Sequence, residues 1–238
     1  IPKHCIPSTV TVRLDAAGRW FVSILVDEPE IKPLKPCNSK IGIDLGITSM
    51  ATLSTGEKVA NPRHINKLYQ RLRKAQKALS RKLKGSKNRA KARLKVARIQ
   101  ARVQDSRQDF LHKLTTQLIR DNQVIVVEDL AVQNMVKNRK LARAISDYSW
   151  GELVRQLEYK AGWYGRKLIK IDRWFPSSQR CSHCGHMVDQ LPLSVREWKC
   201  SECGTHHERD INAAQNILAA GLAVEASGAS VRLDGPSR

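Results

Sequence analysis

Two Cys-x-x-Cys pairs near the end of the chain constrain its fold more than any other feature of the sequence. Cys181 and Cys184 form the first pair, Cys200 and Cys203 form the second, and fifteen residues separate the two pairs. This spacing is typical of a four-cysteine zinc ribbon, in which two tight turns each present two thiolates. Because four sulfurs complete the tetrahedral coordination of zinc, the sequence predicts a structural Zn²⁺ site with no open position for water.

Histidines near the cysteines offer a second interpretation of this metal site. One of them could replace a thiolate as a ligand, and the candidates are His183, His186, His206 and His207. A complete set of four cysteines favours ordinary surface roles for these histidines. A redox role for either cysteine pair is disfavoured, since neither pair opens a helix that follows a strand.

A long basic segment precedes the cysteines. Between Lys58 and Gln104 the chain carries seventeen Lys or Arg and no Asp or Glu. Apolar residues recur there in steps of three and four, the period of a helix, and Gly85 interrupts the pattern, which predicts a helical hairpin over 63–121. A merely solvated helix face normally mixes both signs of charge, so this excess favours contact with phosphates. The candidate contact residues are Arg71, Lys74, Lys77, Arg81, Lys84, Lys87, Arg89 and Arg93.

The composition of the whole chain agrees with a polyanionic partner. The 238 residues contain 42 Lys or Arg and 22 Asp or Glu, which gives a net charge of +20. Hydrophobic residues make up 41%, a globular value that excludes wholesale disorder. No stretch approaches the roughly 20 apolar residues that span a bilayer, and no secretory signal is present, so we expect a soluble intracellular protein without a membrane partner.

Asp44 is the first candidate for a catalytic metal ligand. It is the only charged residue between Lys40 and Glu57, and it lies in an apolar segment, between Gly42 and Gly46, that is predicted to form a strand. Burying an ionised carboxylate there is costly unless something pairs with it. A strand-end aspartate that accepts backbone hydrogen bonds would explain the same pattern equally well.

Two further acids support the catalytic interpretation. Glu128 ends the apolar run Val124–Glu128, which reads as a covered parallel strand, and Lys167–Ile171 reads as another strand. Neighbouring strands that end in acids place hard oxygen ligands side by side, as Mg²⁺ requires. Asp210 begins the last predicted helix, where a role in favouring the helix dipole is the simpler explanation for this residue taken alone.

Five short motifs follow one another in a specific order between about residues 40 and 220. They are Gly42-Ile-Asp-Leu-Gly46, Val127-Glu-Asp-Leu130, Ser177-Ser-Gln-x-Cys-Ser-x-Cys-Gly185, Cys200-x-x-Cys-Gly204 and Arg209-Asp-Ile-Asn-Ala-Ala-x-Asn216. In this combination they resemble the TnpB (OrfB) proteins of bacterial insertion sequences and the related type V CRISPR nucleases.

The resemblance implies an α/β fold: an RNase H-like (RuvC) mixed sheet with an inserted helical hairpin and a zinc ribbon. It implies a transposon-associated RNA-guided DNA endonuclease, with a DNA target and a guide RNA derived from the transposon end. Asp44, Glu128 and Asp210 match the three catalytic acids of the family, which would hold Mg²⁺ or Mn²⁺. Such a protein is expected in the prokaryotic cytoplasm, associated with the nucleoid.

The same resemblance implies a division of the chain into regions. These are a β-rich remnant of an N-terminal barrel domain (1–36), a nuclease domain with the basic hairpin (37–176), a target-nucleic-acid-binding zinc ribbon (177–208), the last nuclease helix (209–222) and a flexible tail (223–238). Because the first residue is Ile1 and not Met, we expect either a processed chain or a fragment that begins inside a longer protein.

Two other functions remain compatible with the sequence. A strand-transferring transposase would also use three acids, although the order Asp, Glu, Asp with a ribbon before the last resembles the nuclease group. A catalytically silent regulator would need only the charge and the ribbon. Other acids could also replace one of the three as metal ligands, and the candidates are Asp129, Asp172 and Glu208.

Overall fold

A computed structural model describes residues 5–27, 31–135, 137, 142–192 and 194–227. The chain divides into two compact units. The first consists of Ile1–Lys32 and Pro62–Lys113, and the second of Pro33–Asn61 and Leu114–Arg238.

The elements alternate between strands and helices along the chain. The strands are β1 (Ile6–Leu14), β2 (Trp20–Asp27), β3 (Lys40–Asp44), β4 (Ala51–Leu53), β5 (Lys58–Val59), β6 (Val124–Glu128), β7 (Lys167–Ile171), β8 (Glu197–Lys199) and β9 (His206–Glu208). The helices are α1 (His64–Ser80), α2 (Lys87–Asp121), α3 (Val132–Met135), α4 (Ala142–Tyr148), α5 (Trp150–Tyr164) and α6 (Arg209–Ala226).

The first unit joins an antiparallel hairpin of β1 and β2 to the basic helices. In the hairpin turn, the Arg19 guanidinium donates to Asp15 at 2.8 Å and to Asp105 of α2 at 2.5 Å. Arg98 of α2 donates to the Ala17 carbonyl at 3.3 Å. These contacts lie within the first unit, which contains the N-terminal hairpin and the helices up to Lys113.

The two long helices lie within the predicted segment 63–121. Residues 81–86 separate them, around the predicted break at Gly85. Arg89 at the start of α2 donates to the carbonyls of Leu79 at 3.2 Å and Lys82 at 3.0 Å. Leu79 is in the last turn of α1 and Lys82 follows that helix, so Arg89 ties the end of α1 to the start of α2.

The second unit is built on a mixed five-stranded sheet in the order β5-β4-β3-β6-β7. β3, β6 and β7 run parallel, whereas β4 and β5 pair antiparallel beside β3. The two central parallel pairings explain why β6 is an unbroken apolar run, since such strands are covered on both faces. Val124 and Val126 pack with Ile217 of α6 on one face, while Ile125 and Val127 are fully buried on the other. The predicted α/β class is therefore confirmed.

Glycine allows α6 to lie close against the sheet. A Cβ added to Gly42 of β3 would lie 2.2 Å from the Ala214 carbonyl oxygen, and one added to Gly221 of α6 would lie 2.3 Å from a methyl group of Val126. Any side chain at these two positions would push the helix away from β3 and β6. The close packing fixes the position of the whole helix, including its first turn.

Helix α6 is longer than predicted. It continues to Ala226, so residues 223–226 are helical and not part of a flexible tail. Glu225 in this last turn forms an ion pair with Lys167 of β7 at 3.0 Å, which helps to hold the turn against the sheet. Ser227 caps this helix, and residues 228–238 of the predicted tail lie outside the described residues. Among the described residues, no helix combines the length and apolarity needed to cross a membrane.

Candidate functional site

The four cysteines form a compact cluster. Their sulfur atoms all lie within 4.8 Å of one another, with 3.7 Å between Cys181 and Cys203 and 3.7 Å between Cys184 and Cys200. Sulfurs at the corners of a tetrahedron with zinc–sulfur bonds of about 2.3 Å are separated by about 3.8 Å. The cysteines are free thiols. Their arrangement therefore fits a tetrahedral metal ion, and the predicted cluster is confirmed.

Two matching turns position these sulfurs. Gly185 donates its N–H to the Cys181 carbonyl at 2.9 Å, and Gly204 donates to the Cys200 carbonyl at 3.0 Å. Both glycines have a positive φ, +80° and +70°, which side chains rarely tolerate. Each Cys-x-x-Cys-Gly segment thus folds back on itself and presents two thiols to the same point.

His207 contacts the cluster without being needed as a ligand. Its Nε2 lies 3.0 Å from the Cys181 sulfur, and its ring packs 4.7 Å from the Trp198 ring, centre to centre. Burial lowers the pKa of His207, which keeps the ring neutral near pH 7. The hydrogen bond with the Thr205 hydroxyl lowers the pKa of Cys203 to about 6 and favours the thiolate that binds metal.

The carboxyl ends of β3 and β6 bring two of the three predicted acids together. These strands pair in parallel with Ile43 opposite Val127, so Asp44 and Glu128, one residue further on, lie side by side. Side chains alternate between faces along a strand. Asp44 therefore shares the face of Gly42, and Glu128 shares the face of Val126, and this is the face that α6 covers.

Helix α6 brings the third acid to the same face. Asp210 is in its first turn, four residues before Ala214, whose carbonyl lies against Gly42 of β3. The electrostatic coupling of the three side chains reflects this proximity. Burial, and after it the negative charges of Glu128 and Asp210, raise the pKa of Asp44 to about 7.

The three carboxylates are arranged less tightly than the cysteines. Within the described part of the chain, only the cysteine cluster has three or more candidate ligand atoms within 4.8 Å. Burial also raises the pKa of Glu128, although a hydrogen bond from Ser177 opposes the shift. Buried acids that repel one another are stabilised by a cation, and carboxylate oxygens are the ligands that Mg²⁺ and Mn²⁺ prefer. This donor set therefore fits a hard divalent cation.

Two residues that sequence reasoning did not single out contact the acids. The Ser177 hydroxyl donates to Oε1 of Glu128 at 2.7 Å, and Arg196 lies 3.4 Å from Oδ1 of Asp210. The positive charges of Arg209 and Arg196 partly offset the repulsion at Asp44. Ser177 belongs to the motif that precedes the first cysteine pair, but its hydroxyl follows no period or spacing that identifies its partner.

Two buried asparagines attach the first cysteine turn to α6. Asn212 donates to the Arg180 carbonyl at 2.7 Å and accepts from the Ser182 N–H at 2.9 Å. Asn216 donates to the Ser177 carbonyl at 2.8 Å. Both asparagines belong to the motif that begins at Arg209, but the motif by itself indicates no partner for them. Through them, the cysteine cluster, Ser177 and the helix that carries Asp210 form one hydrogen-bonded assembly.

The three alternative acids have other partners. Asp129 pairs with Arg173 at 2.7 Å, and Glu208 forms an ion pair with Lys58. The side chain of Asp172 accepts the N–H of Trp174 at 2.7 Å.

A cavity of 460 Å³ lies beside Glu128. Its apolar lining includes Leu45, Leu130 and Trp150, and its charged lining includes the pair Asp129 and Arg173. Of the three predicted catalytic acids, Glu128 lines this cavity, whereas Asp44 and Asp210 do not.

Most of the predicted nucleic-acid-binding residues face solvent. Of the eight, Arg89 alone is half-buried, because it holds the end of α1. The exposed residues are Arg71, Lys74, Lys77, Arg81, Lys84, Lys87 and Arg93. Arg89 therefore has a structural role in addition to the predicted one.

Two family models match the chain. A model described as "Probable transposase" (OrfB_IS605) matches residues 23–139, and one described as "Cas12f1-like, TNB domain" matches residues 150–217. The second match begins with α5. It includes the cysteine cluster and the first turn of α6.

Similar proteins carry nuclease names. A "Putative RNA-guided DNA endonuclease" of Streptomyces pristinaespiralis is 58% identical over 98% of this chain and 57% of its own length. "Putative RNA-guided DNA endonuclease InsQ" of Escherichia coli (strain K12) is 35% identical over 97% of this chain and 61% of its own length. The chain therefore spans about three fifths of these relatives.

A solved structure shares the fold. The structure described as "Cryo-EM structure of the Cas12f1-sgRNA-target DNA complex" matches 90% of this chain and 45% of that chain, with a TM-score of 0.63 and 19% identity. At this identity the likeness concerns the fold alone, a mixed sheet with helices.

Proposed function

This chain belongs to the TnpB (OrfB) family, and from that premise we propose that it forms the nuclease part of a transposon-associated RNA-guided DNA endonuclease. The second unit would be an RNase H-like (RuvC) domain that hydrolyses phosphodiester bonds. The observation that carries the proposal is the convergence of Asp44, Glu128 and Asp210 on the face of the sheet that α6 covers.

The three carboxylates would hold Mg²⁺ or Mn²⁺. When bound, such ions activate water as a nucleophile and stabilise the leaving oxygen of a phosphodiester. Ser177 fixes the orientation of Glu128 through its 2.7 Å hydrogen bond. Arg196, at 3.4 Å from Asp210, adds a positive charge beside the site where a phosphate would enter.

The cysteine cluster would bind one structural Zn²⁺. The sulfur separations of 3.7 Å support this choice, because they match tetrahedral zinc–thiolate geometry. A closed four-sulfur site leaves no position for a substrate. Its proposed role is to hold the ribbon, which would contact target nucleic acid, against Ser177 and α6.

The basic helices would contact nucleic-acid phosphates. Their exposed Lys and Arg, in a segment without acids, support this role. In the intact protein the partners would be the DNA target and a guide RNA from the transposon end, acting at the prokaryotic nucleoid.

Single substitutions of the acids test the proposed chemistry. Asp44→Ala, Glu128→Ala and Asp210→Ala should each abolish Mg²⁺-dependent DNA cleavage while binding of DNA and zinc content stay near parental values. The control is Asp129→Ala, which removes the exposed acid next to Glu128 and should leave most of the cleavage. Because the acids act as a unit, double variants should be no worse than single ones.

The cleavage assay uses the intact protein together with RNA recovered from cells that carry its flanking DNA. Cleavage retained by Asp210→Ala would exclude Asp210 as a ligand. Joined instead of cut DNA ends would indicate a strand-transferring transposase, and binding without any cleavage in the parent would indicate the silent regulator.

A further inference from the structure

Trp174 is the most exposed large apolar side chain among the described residues. Its exposed fraction is 85%, whereas Trp150 is fully buried and Trp198 is 8% exposed. An indole that faces water gives up the free energy that its burial would release. Such a residue is therefore a candidate for contact with a ligand.

The exposure of Trp174 does not come from a loose loop. Its N–H donates to the Asp172 side chain at 2.7 Å, and the next N–H, that of Phe175, donates to the Asp172 carbonyl at 3.1 Å. Phe175 packs against the apolar core formed by β6, β7 and α6. The turn is thus fixed by its own hydrogen bonds and by the core, and it presents the indole outward.

The turn lies at the catalytic edge of the sheet. On one side of Trp174, Arg173 contacts Asp129 at 2.7 Å, and on the other side Ser177 donates to Glu128 at 2.7 Å. Three residues of fully extended chain span about 11 Å at most, so Trp174 lies within that distance of Ser177, backbone to backbone. A ligand group on the indole would therefore be close to Glu128.

Charge and chemistry identify the kind of ligand. The chain carries a net charge of +20, which attracts polyanions. Proteins that bind single-stranded nucleic acids combine such charge with aromatic side chains on which bases stack, and stacking tolerates any base. A single-stranded nucleic acid fits both features, whereas an apolar protein segment would fit only the indole.

We propose that Trp174 is a stacking platform for a base of single-stranded DNA next to Asp44, Glu128 and Asp210. This inference rests on the proposed nuclease function, because a strand held on Trp174 is one presented to the three carboxylates. Stacking positions the strand, and it takes no part in the chemistry.

Binding of a fluorescent fifteen-nucleotide oligothymidine, measured by anisotropy without added Mg²⁺, tests the proposal. Trp174→Ala should weaken binding about 5- to 150-fold, and Trp174→Phe should retain most of the affinity. The slope of log affinity against log salt should stay unchanged in both, because no phosphate contact is lost. The matched control is Trp163→Ala, which removes a half-exposed indole near the opposite edge of the sheet, where β7 begins.

The outcomes separate this proposal from the nuclease proposal, since the binding assay involves no cleavage. Equal affinities of Trp174→Ala and Trp163→Ala would overturn the stacking platform, and so would a parent that does not bind the oligonucleotide. Trp174→Ala could weaken binding because it disturbs the fold, which a lower zinc content or a changed circular dichroism spectrum would reveal. In that case, the affinity of Trp174→Phe and photocrosslinking of 5-iododeoxyuridine DNA to the parent protein decide whether the base stacks on Trp174. Restored affinity in Trp174→Phe with a crosslink at Trp174 would support stacking, and the lack of either would overturn it.

Discussion

Asp44 bears the largest electrostatic cost in the candidate catalytic site. Burial and the charges of Glu128 and Asp210 raise its pKa from 3.8 to about 7. A group whose pKa is raised on folding contributes stability below its unfolded pKa and loses it as the pH rises through the folded pKa. Without divalent metal, the stability of the folded chain therefore falls as the pH rises from about 4 to about 7, and the loss is complete above about pH 7. A variant that cannot ionise at position 44 isolates this contribution, because its free energy of unfolding can be compared with that of the parent.

Asp44→Asn should raise the free energy of unfolding at pH 8 and have little effect below pH 4. A difference of about three in pKa corresponds to at most about 4 kcal/mol. Urea unfolding at several pH values, without Mg²⁺ or Mn²⁺, measures the effect. The control is Asp109→Asn, an exposed acid paired with Lys113. If Asp44→Asn changed the free energy of unfolding equally at pH 4 and pH 8, ionisation of Asp44 would not be the cause. If Mg²⁺ stabilised this variant as much as the parent, Asp44 would not be a metal ligand.

The cysteine turns and α6 form one connected part of the candidate site. Asn212, Asn216 and Ser177 make the hydrogen bonds that connect them. A substitution that disturbs one of these elements should therefore destabilise the other. The connection is made by hydrogen bonds between buried groups, which are costly to leave unpaired.

Cys181→Ser should remove the bound zinc. The variant loses one of four ligands, and its zinc affinity should fall more than about 100-fold, the upper end for loss of an outer contact. Metal analysis of the purified protein should give about one zinc per chain in the parent and near none in the variant. Amide hydrogen exchange over 181–207 should also become faster. The apolar core of the ribbon is small, so without metal little holds this segment folded.

Cys37→Ser is the matched control for the ribbon. Cys37 is a half-buried thiol outside the cluster, with its sulfur 3.8 Å from the Asp121 carbonyl. Its replacement should leave zinc content and exchange over 181–207 unchanged. Zinc content that stays at the parental value in Cys181→Ser would exclude Cys181 as a ligand.

Gly42→Ala and Gly221→Ala should each destabilise the second unit by displacing α6. The new methyl groups would meet the Ala214 carbonyl at 2.2 Å and Val126 at 2.3 Å, and overpacking of this kind costs about 1–3 kcal/mol or more. Gly162→Ala in α5 is the control, since its Cβ meets nothing within 4 Å and should add up to about 1 kcal/mol of stability. Thermal or urea unfolding measures all three. Equal stabilities of Gly42→Ala and Gly162→Ala would show that α6 is not held so closely.

Local pattern predicts some of these elements and misses others for physical reasons. The apolar runs gave β6 and β7 with their observed bounds, and cysteine spacing gave the cluster, because both signals are local. Asp44 and Glu128 could be paired because parallel strands end at the same edge. The role of Ser177 could not be found, since its partner Glu128 lies 49 residues away and a hydroxyl has no period. The last turn of α6 was missed because its ion pair with Lys167 is a tertiary contact.

At the scale of the whole molecule, charge dominates the behaviour. The excess of 42 basic over 22 acidic residues makes association with any nucleic acid salt-dependent, because each neutralised phosphate releases counterions. The basic residues are not equivalent, however. Some face carboxylates within the fold, such as Lys113 with Asp109 and Lys167 with Glu225, whereas those of α1 lie in a segment that lacks acids.

Replacing Arg71, Lys74 and Lys77 of α1 with Gln should weaken DNA binding and flatten its salt dependence. For each lost phosphate contact, the slope of log affinity against log salt should become shallower by about 0.7 to 0.9, so the triple variant should lose up to about 2 to 3 in slope. Affinities measured between 50 and 200 mM salt, about the range over which such contacts act, give the slope.

The matched control changes the net charge equally but elsewhere. Lys113, Arg155 and Lys167 each form an ion pair, with Asp109, Glu152 and Glu225 respectively. Their replacement with Gln should change the slope less, because their charges are already balanced locally. If both triple variants flattened the slope to the same degree, net charge alone would govern binding and the helices would be merely solvated. If only the α1 variant did so, the phosphates would be held by the exposed basic side chains of this helix, independently of the three carboxylates.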